Sequence, residues 1–538
     1  MMKLQLLSLA ILTGAANAFL AAPVQPFATR LSVATTPGTV DVQESFVDEI
    51  SAENPLNVLI AGAGVGGLAL ANALTKMPHV KVTVLEQTSE FKRFGGPIQL
   101  ASNAMQILKE MDSKVYEQIS EKFTVTGDKT NGIKDGIRTE WYSKFDLKSP
   151  AEDRGMPYTG VIDRPDLQEI YLKALPKGTV QNGDGVDSYE NMKDGRVKVI
   201  MNSGKEMVGD VLIGADGIWS SVRAKMRDAP KKGDGSGATY SGYTVFAGEL
   251  AYDSPDNGEV GYKVYIGPGQ YFVITDIGNG NYQWYAFLAR PPDSAASVAK
   301  PDGTSMYLQG IFEGWSPEIH AILKVTQEHE IEQRDLYDRP PSVFKPWTDK
   351  NVALLGDGVH AMMPNLGQGG CQAIEDAFVI AQEFEQAKRR SQVPSLLVEY
   401  QNRRLIRSAV VQGLSRFASD IIIRGFDTPA KIVRDENGGL RFENFNYAGI
   451  VTKMLQPILP IFFTVQFNFL YDGWKNKNVV DFKAGLAFLT IGGLIAFLVA
   501  FELAEAGIGI GLGAEALLGA EGLVDFEAIS TAVREFFL

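Results

Sequence analysis

Apolar positions along the chain follow two rhythms. In the first, short unbroken apolar runs end on glycine: Asn57 to Ala61, Val211 to Gly214 and Val352 to Gly356. Such runs read as buried strands that turn at their carboxyl ends. After the first, Gly62-Ala-Gly64-Val-Gly66-Gly67 opens a helix over Leu68 to Met77 that Pro78 stops, and a second strand, Val80 to Leu85, closes on Glu86. After the third, Pro364-Asn-Leu-Gly367-Gln368-Gly369-Gly370 leads into a helix over Cys371 to Glu385, apolar at Ile374, Ala377, Phe378, Ala381 and Phe384.

The second rhythm fills the middle of the chain. Tyr240 to Leu250, Gly261 to Ile266, Tyr271 to Ile277 and Tyr282 to Ala289 alternate in strand fashion between Asp-Asn-Gly, Gly-Pro-Gly and Gly-Asn-Gly turns, which predicts one antiparallel sheet. Its aromatics, Tyr243, Phe246, Tyr271, Phe272, Trp284, Tyr285 and Phe287, are candidates for an apolar pocket wall, with plain core the expectation for most.

The ends carry neither rhythm. Residues 1–18 place Lys3, an apolar stretch and Ala16-Asn17-Ala18 in the order of a signal peptide, and residues 19–50 open as an acid-poor segment rich in Ala, Thr, Ser and Pro that suits a transit peptide. Signal followed by transit resembles the bipartite presequences of algal plastids. In the last part, 416–538, Ala484 to Phe501 runs without a charge between Lys475, Lys477, Lys483 and Glu502, Glu505, Glu515, long enough for a membrane span or an interfacial helix. Met454 to Leu470, interrupted by Pro457 and Pro460, reads as a membrane-facing or core-packing helix pair.

Composition narrows the chemistry. With 538 residues, two lobes plus extensions are expected, and a net charge of -13 excludes a nucleic-acid surface. One cysteine, Cys371, and four scattered histidines leave no disulfide and no metal site. Any redox centre must be organic. The glycines at 62, 64, 66 and 67 allow a tight turn and close approach to a pyrophosphate at a helix N-terminus, and Glu86 can accept from ribose hydroxyls. That much fits any dinucleotide.

The ordered set of GxGxxG, Gly214-Ala-Asp216-Gly217, Gly356-Asp357, Pro364 and Gly367-Gln368-Gly369-Gly370 resembles the class A flavoprotein monooxygenases over about 55 to 415. The resemblance implies an α/β fold: a discontinuous Rossmann-like FAD-binding domain at 55–235 and 346–415, an inserted antiparallel substrate sheet at 236–345, and C-terminal helices. It makes Asp357 the acid for the ribityl hydroxyls, puts the amides of Gly367 to Gly370 beside the isoalloxazine, and gives Arg164 the pyrophosphate. Arg93 and Gly96 to Gln99 correspond to a loop near the flavin. Asp216 is a further binding candidate, and His360 is expected to be structural.

Longer strings, Gly96 to Ala104, Ala238 to Tyr243, Asp335 to Pro341 and Gly367 to Asp376, resemble the zeaxanthin epoxidase family. That implies a carotenoid substrate and a flavin C4a-hydroperoxide, formed from dioxygen, as the epoxidising species. No protein nucleophile or metal is needed. NADPH is the expected reductant, bound transiently without a second fingerprint, and contact with a plastid or thylakoid membrane is expected. Plant members carry a C-terminal forkhead-associated domain, whereas this C-terminus is hydrophobic and glycine-rich. Two readings stay open beside the epoxidase: an FAD hydroxylase of another lipophilic or aromatic ring, and a non-catalytic carrier that keeps only the glycine turn.

Overall fold

The computed structural model describes residues 48–91, 96–294, 298, 300–424, 431–434, 440–443 and 459–472. Residues 1–47, Arg93 and the apolar segment 484–501 lie outside these residues, but Asp48 to Ile50, expected to end the transit stretch, belong to the fold: the Ile50 amide donates to Lys388 O, the Arg390 amide donates to Asp48 O, and Ile50 is buried in the core. Among the described residues no helix is long and apolar enough to cross a membrane.

The uninterrupted apolar runs pair as expected of strands buried on both faces. Leu56–Ala61 lies parallel to Val80–Glu86 on one side and to Val211–Gly214 on the other, and Val211–Gly214 lies parallel to Val352–Leu354. Val180–Asn182 and the antiparallel Thr348–Asp349 complete six strands. Because five of these strands point the same way, the turns after Ala61, Gly214 and Leu354 open on one rim. Backbone bonds lock the rim: the Ala215 amide donates to Ala61 O, and the Leu355 amide to Gly214 O.

The first helix begins at Val65, three residues earlier than its apolar periodicity indicated, and runs to Leu74. Its small residues explain the difference. Gly66 lets the helix pack against Gly369–Glu385, since a Cβ there would lie 2.5 Å from a Leu355 methyl and 2.9 Å from the Ala373 Cβ. The helix Gly369–Glu385 in turn packs on the long helix Val393–Arg424.

The alternating segments form strands Thr239–Ala251, Val260–Gly267, Gln270–Gly278 and Asn281–Ala289 of a seven-stranded sheet. Thr130–Asp135 pairs parallel with Val260–Gly267, and Trp141–Lys144 follows it at the edge. These two strands were expected in the flavin-binding stretch; their backbone groups are instead satisfied by the second sheet, so the two parts interleave more than the sequence indicated.

Period-two alternation sorts the aromatics onto opposite faces. Phe246, Phe272 and Trp284 pack with Leu308, Phe312, Ile319 and Ile322 of two covering helices, which is plain core. Tyr243, Tyr271 and Phe287 pack with Val245, Val273 and Met363 on the other face. Near the C-terminus, Leu459–Asp472 forms a helix whose Phe469, Leu470 and Tyr471 are buried, a core-packing element in its described part. Its Asp472 pairs with Arg154 at 2.7 Å.

Candidate functional site

Three chain segments far apart in sequence meet at the rim of the parallel sheet. The first is the turn 62–67. Gly62 has φ +100°, and Gly67 sits so close that a Cβ would lie 2.1 Å from Gly62 O. Only glycine fits there. Gly64, at the N-cap of the first helix, is solvent-exposed, and a Cβ there would meet nothing within 4 Å. The turn therefore presents an open backbone surface at a helix N-terminus with no side-chain cap, which is an anion-accepting arrangement. Glu86 accepts from the Ala63 amide at 2.7 Å and from the amide and hydroxyl of Thr88 at 2.8 and 2.6 Å. A carboxylate offers about four lone-pair sites, so one remains for an outside donor.

The second segment joins the helix Arg164–Ala174 to the strand Ile98–Leu100. Gln168 donates to Ala63 O at 3.1 Å, and Arg164 Nε donates to Gly96 O at 3.0 Å. Arg164 is exposed to solvent yet hemmed in by protein; burial lowers its pKa, Tyr285 and Asp357 oppose that effect, and Arg334 reinforces it. Such a group sits inside a cleft.

The third segment is 356–370. Gly356 has φ +59° and Gly367 φ +60°, both left-handed, so the chain turns tightly twice. Asp357 is solvent-exposed, and its carboxylate accepts no hydrogen bond among the described residues. Burial nonetheless raises its pKa, partly offset by His360 and Arg164. Asp357 therefore faces the same cleft as Arg164. At the second turn, the Gln99 side chain comes within 2.5 Å of a Cβ built on Gly367, and Gly369 stands open at the N-terminus of Gly369–Glu385. Pro364 is exposed at the start of a short 3-10 turn, and Gln368 is buried beneath it.

A buried polar cluster holds these turns from behind. Asp376 accepts from the Gly356 amide at 2.9 Å, from His360 Nε2 at 2.7 Å and from Arg404 Nε at 2.7 Å. Burial works to raise its pKa, and His360 and Arg404 outweigh that and hold the carboxyl below the usual range. Glu375 is bridged by Arg404 and bidentately by Arg407, whose guanidinium bonds are both 2.7 Å. Against a desolvation that opposes it, the two guanidinium groups hold Glu375 down to about 2. His360, 1% exposed against Trp347, is a supporting residue remote from solvent.

Asp216 lies beside the first turn with one carboxylate oxygen engaged and the other, Oδ1, buried without a hydrogen bond among the described residues. Its Oδ2 accepts from the Ser221 and Val222 amides at 2.7 and 3.3 Å, capping the helix Ser221–Met226. Cys371 is fully buried, accepts from the Ala101 amide, and burial pushes its thiol up to about 12. It is an inert thiol at neutral pH.

Sequence patterns did not single out Gln168, and they gave no role of their own to Gln99, Asn103, Glu375, Asp376, Arg404 or Arg407. A signal was present in the last four: Glu375 and Asp376 break an otherwise apolar helix face, and Arg404 and Arg407 are one turn apart on a later helix. Charges on a buried face require partners.

The cleft fits an FAD group. An open glycine turn with an arginine suits phosphates, a carboxylate that accepts no hydrogen bond among the described residues suits polyol hydroxyls, and a second open helix N-terminus suits an electron-rich ring. An FAD binding domain family matches residues 55–417. The zeaxanthin epoxidase of Prunus armeniaca is 40% identical over 374 residues, covering 68% of this chain and 55% of that protein. That of Arabidopsis thaliana is 40% identical over 366 residues, covering 66% and 53%. The chain thus spans about half the length of these curated relatives. Among solved structures, Klebsiella pneumoniae HpxO complexed with FAD and uric acid superimposes with TM-score 0.60 at 25% identity, covering 68% of this chain and 88% of that one. A salicylate hydroxylase substrate complex shares the fold with TM-score 0.61 at 22% identity, covering 79% and 98%. With a match that runs from the first strand through much of the long helix, the chain belongs to the FAD-binding domain family.

Proposed function

We propose that this protein is an FAD-dependent monooxygenase that epoxidises the β-ring of a xanthophyll such as zeaxanthin or diatoxanthin. The observation that carries this reading is the 40% identity to zeaxanthin epoxidases over 374 residues, 68% of this chain. The geometry supports the division of labour that the family resemblance implies. Gly62 to Gly67 and Arg164 hold the pyrophosphate, Glu86 takes a ribose hydroxyl through its remaining lone pair, and Asp357 takes the ribityl chain. Amides at Gly367 to Gly370 would stabilise negative charge on the reduced ring, and Arg93, outside the described residues, is kept as a flavin-binding candidate on the resemblance alone.

Bound and reduced, FAD supplies the activation of dioxygen. The protein's own residues bind, orient and keep water out. Tyr271 and Phe287 stack at 4.2 Å between centroids with Tyr243 edge-on to both, forming a rigid apolar face on the sheet next to Met363. An apolar ring needs such a surface rather than an ionised partner. NADPH is the proposed reductant. A plastid location is supported by the relatives, which are named chloroplastic, and membrane contact by the uncharged stretch 484–501. The test is product analysis of reduced, FAD-loaded protein given oxygen and either zeaxanthin or salicylate. Epoxidised xanthophyll is expected; hydroxylated aromatic with untouched carotenoid overturns the assignment.

A further inference from the structure

The helix Leu459–Asp472 lies beyond the residues matched by the FAD-binding family, yet it connects to the flavin-ring turn by a short chain of buried bonds. Arg407, 7% exposed, donates to Phe469 O at 2.9 Å and Leu470 O at 2.8 Å, the last-turn carbonyls of that helix. The same guanidinium grips Glu375 with two bonds. Glu375 Oε1 accepts from Asn103 Nδ2 at 2.7 Å, and Asn103 Nδ2 also reaches Gln368 Oε1 at 3.3 Å. Gln372 Nε2 bridges the same two acceptors, at 3.2 Å to Glu375 and 3.3 Å to Gln368. Gln368 stands between Gly367 and Gly369.

We propose that Arg407 is a positioning residue that couples the helix Leu459–Asp472 to the Gly367–Gly370 turn, so that docking of this helix sets how the turn meets the flavin. Three observations make the coupling specific. Helix-end carbonyls buried away from water need donors, and Arg407 is the donor for two of them. The Arg404–Arg407 and Glu375–Asp376 charges balance two against two, so Arg407 cannot leave without stranding a buried carboxylate. The helix is also pinned at Thr159 by the Tyr471 hydroxyl at 3.2 Å and at Arg154 by Asp472. Thr159 in turn accepts from the Ser102 amide next to the strand 98–100 that lines the turn.

The inference rests on the flavin site and not on the xanthophyll reading, so its test avoids turnover. In the full-length protein, Arg407→Lys keeps the charge but cannot hold Glu375 bidentately and reach both carbonyls. FAD affinity is expected to fall about tenfold, with a shift in the midpoint potential and visible absorption of bound flavin. Tyr471→Phe combined with Asp472→Asn loosens the helix without touching the cluster and moves potential and absorption in the same direction by less. That second variant decides the matter if Arg407→Lys does not fold. Unchanged affinity, potential and spectrum in a folded variant that merely melts earlier makes Arg407 a purely structural clamp and overturns the proposal.

Discussion

Gly64→Ala separates cofactor binding from folding. Gly64 has φ -72° and ψ 179°, an extended conformation open to any residue, and a Cβ there would touch nothing within 4 Å. Alanine in place of glycine stabilises by roughly 0.4–1 kcal/mol through the unfolded chain. Against that, alanine is the poorer N-cap by several tenths of a kcal/mol or more. The two effects nearly cancel, and the unfolding midpoint of the apoprotein should stay where it is. The methyl, however, projects into the surface where the phosphates approach the helix N-terminus. Displacing a close-packed group there costs about 1–3 kcal/mol, a loss of roughly five- to a hundred-and-fifty-fold in FAD affinity. Titration of the apoprotein with FAD, followed by flavin fluorescence, reads the affinity; urea unfolding reads the stability. An FAD affinity equal to wild type, with stability also unchanged, would refute the placement of the pyrophosphate at this turn.

Other consequences follow from the supporting cluster and the cleft. Arg404→Met should destabilise by about 3–5 kcal/mol, because it removes one of the two guanidinium groups that balance two buried carboxylates, and urea unfolding should show it. Glu375 has a depressed pKa of about 2 against roughly 4.3 unfolded, so its contribution of about 3 kcal/mol is fully present above the unfolded value and is lost as pH falls toward 2. Unfolding midpoints measured across that acid window should fall steeply in wild type and less steeply in Glu375→Gln. Asp357→Asn removes a carboxylate whose ionisation burial opposes, so the apoprotein should melt no earlier while FAD affinity drops about tenfold in the same titration. An earlier melt would show that Asp357 serves the fold rather than the ligand.

Much of this architecture was legible because backbone geometry and burial leave a local mark. Runs such as Val58 to Ala61 announce a parallel strand, and glycines at 62 and 67 announce a turn where a side chain cannot fit. Alternation along Asn281–Ala289 announced a strand, while the faces that Trp284 and Phe287 take came only with the fold. What escaped was what depends on tertiary partners. Arg404 and Arg407 look like ordinary exposed charges on a long helix until Glu375 and Asp376 are placed against them. Asp216 reads as a binding candidate, and only the fold shows that one of its carboxylate oxygens rests on the amides of Ser221 and Val222. Strands 130–135 and 141–144 carry little periodicity of their own, and pairing with Val260–Gly267 is what fixes them in the sheet.

The central claim joins a flavin cleft to epoxidation of an apolar ring, and the fate of isotopically labelled dioxygen tests both at once. With reduced, FAD-loaded protein and zeaxanthin, one labelled oxygen atom should appear in the epoxide of the xanthophyll and the other in water. Label that reaches only water or peroxide, with zeaxanthin unchanged, would contradict the account.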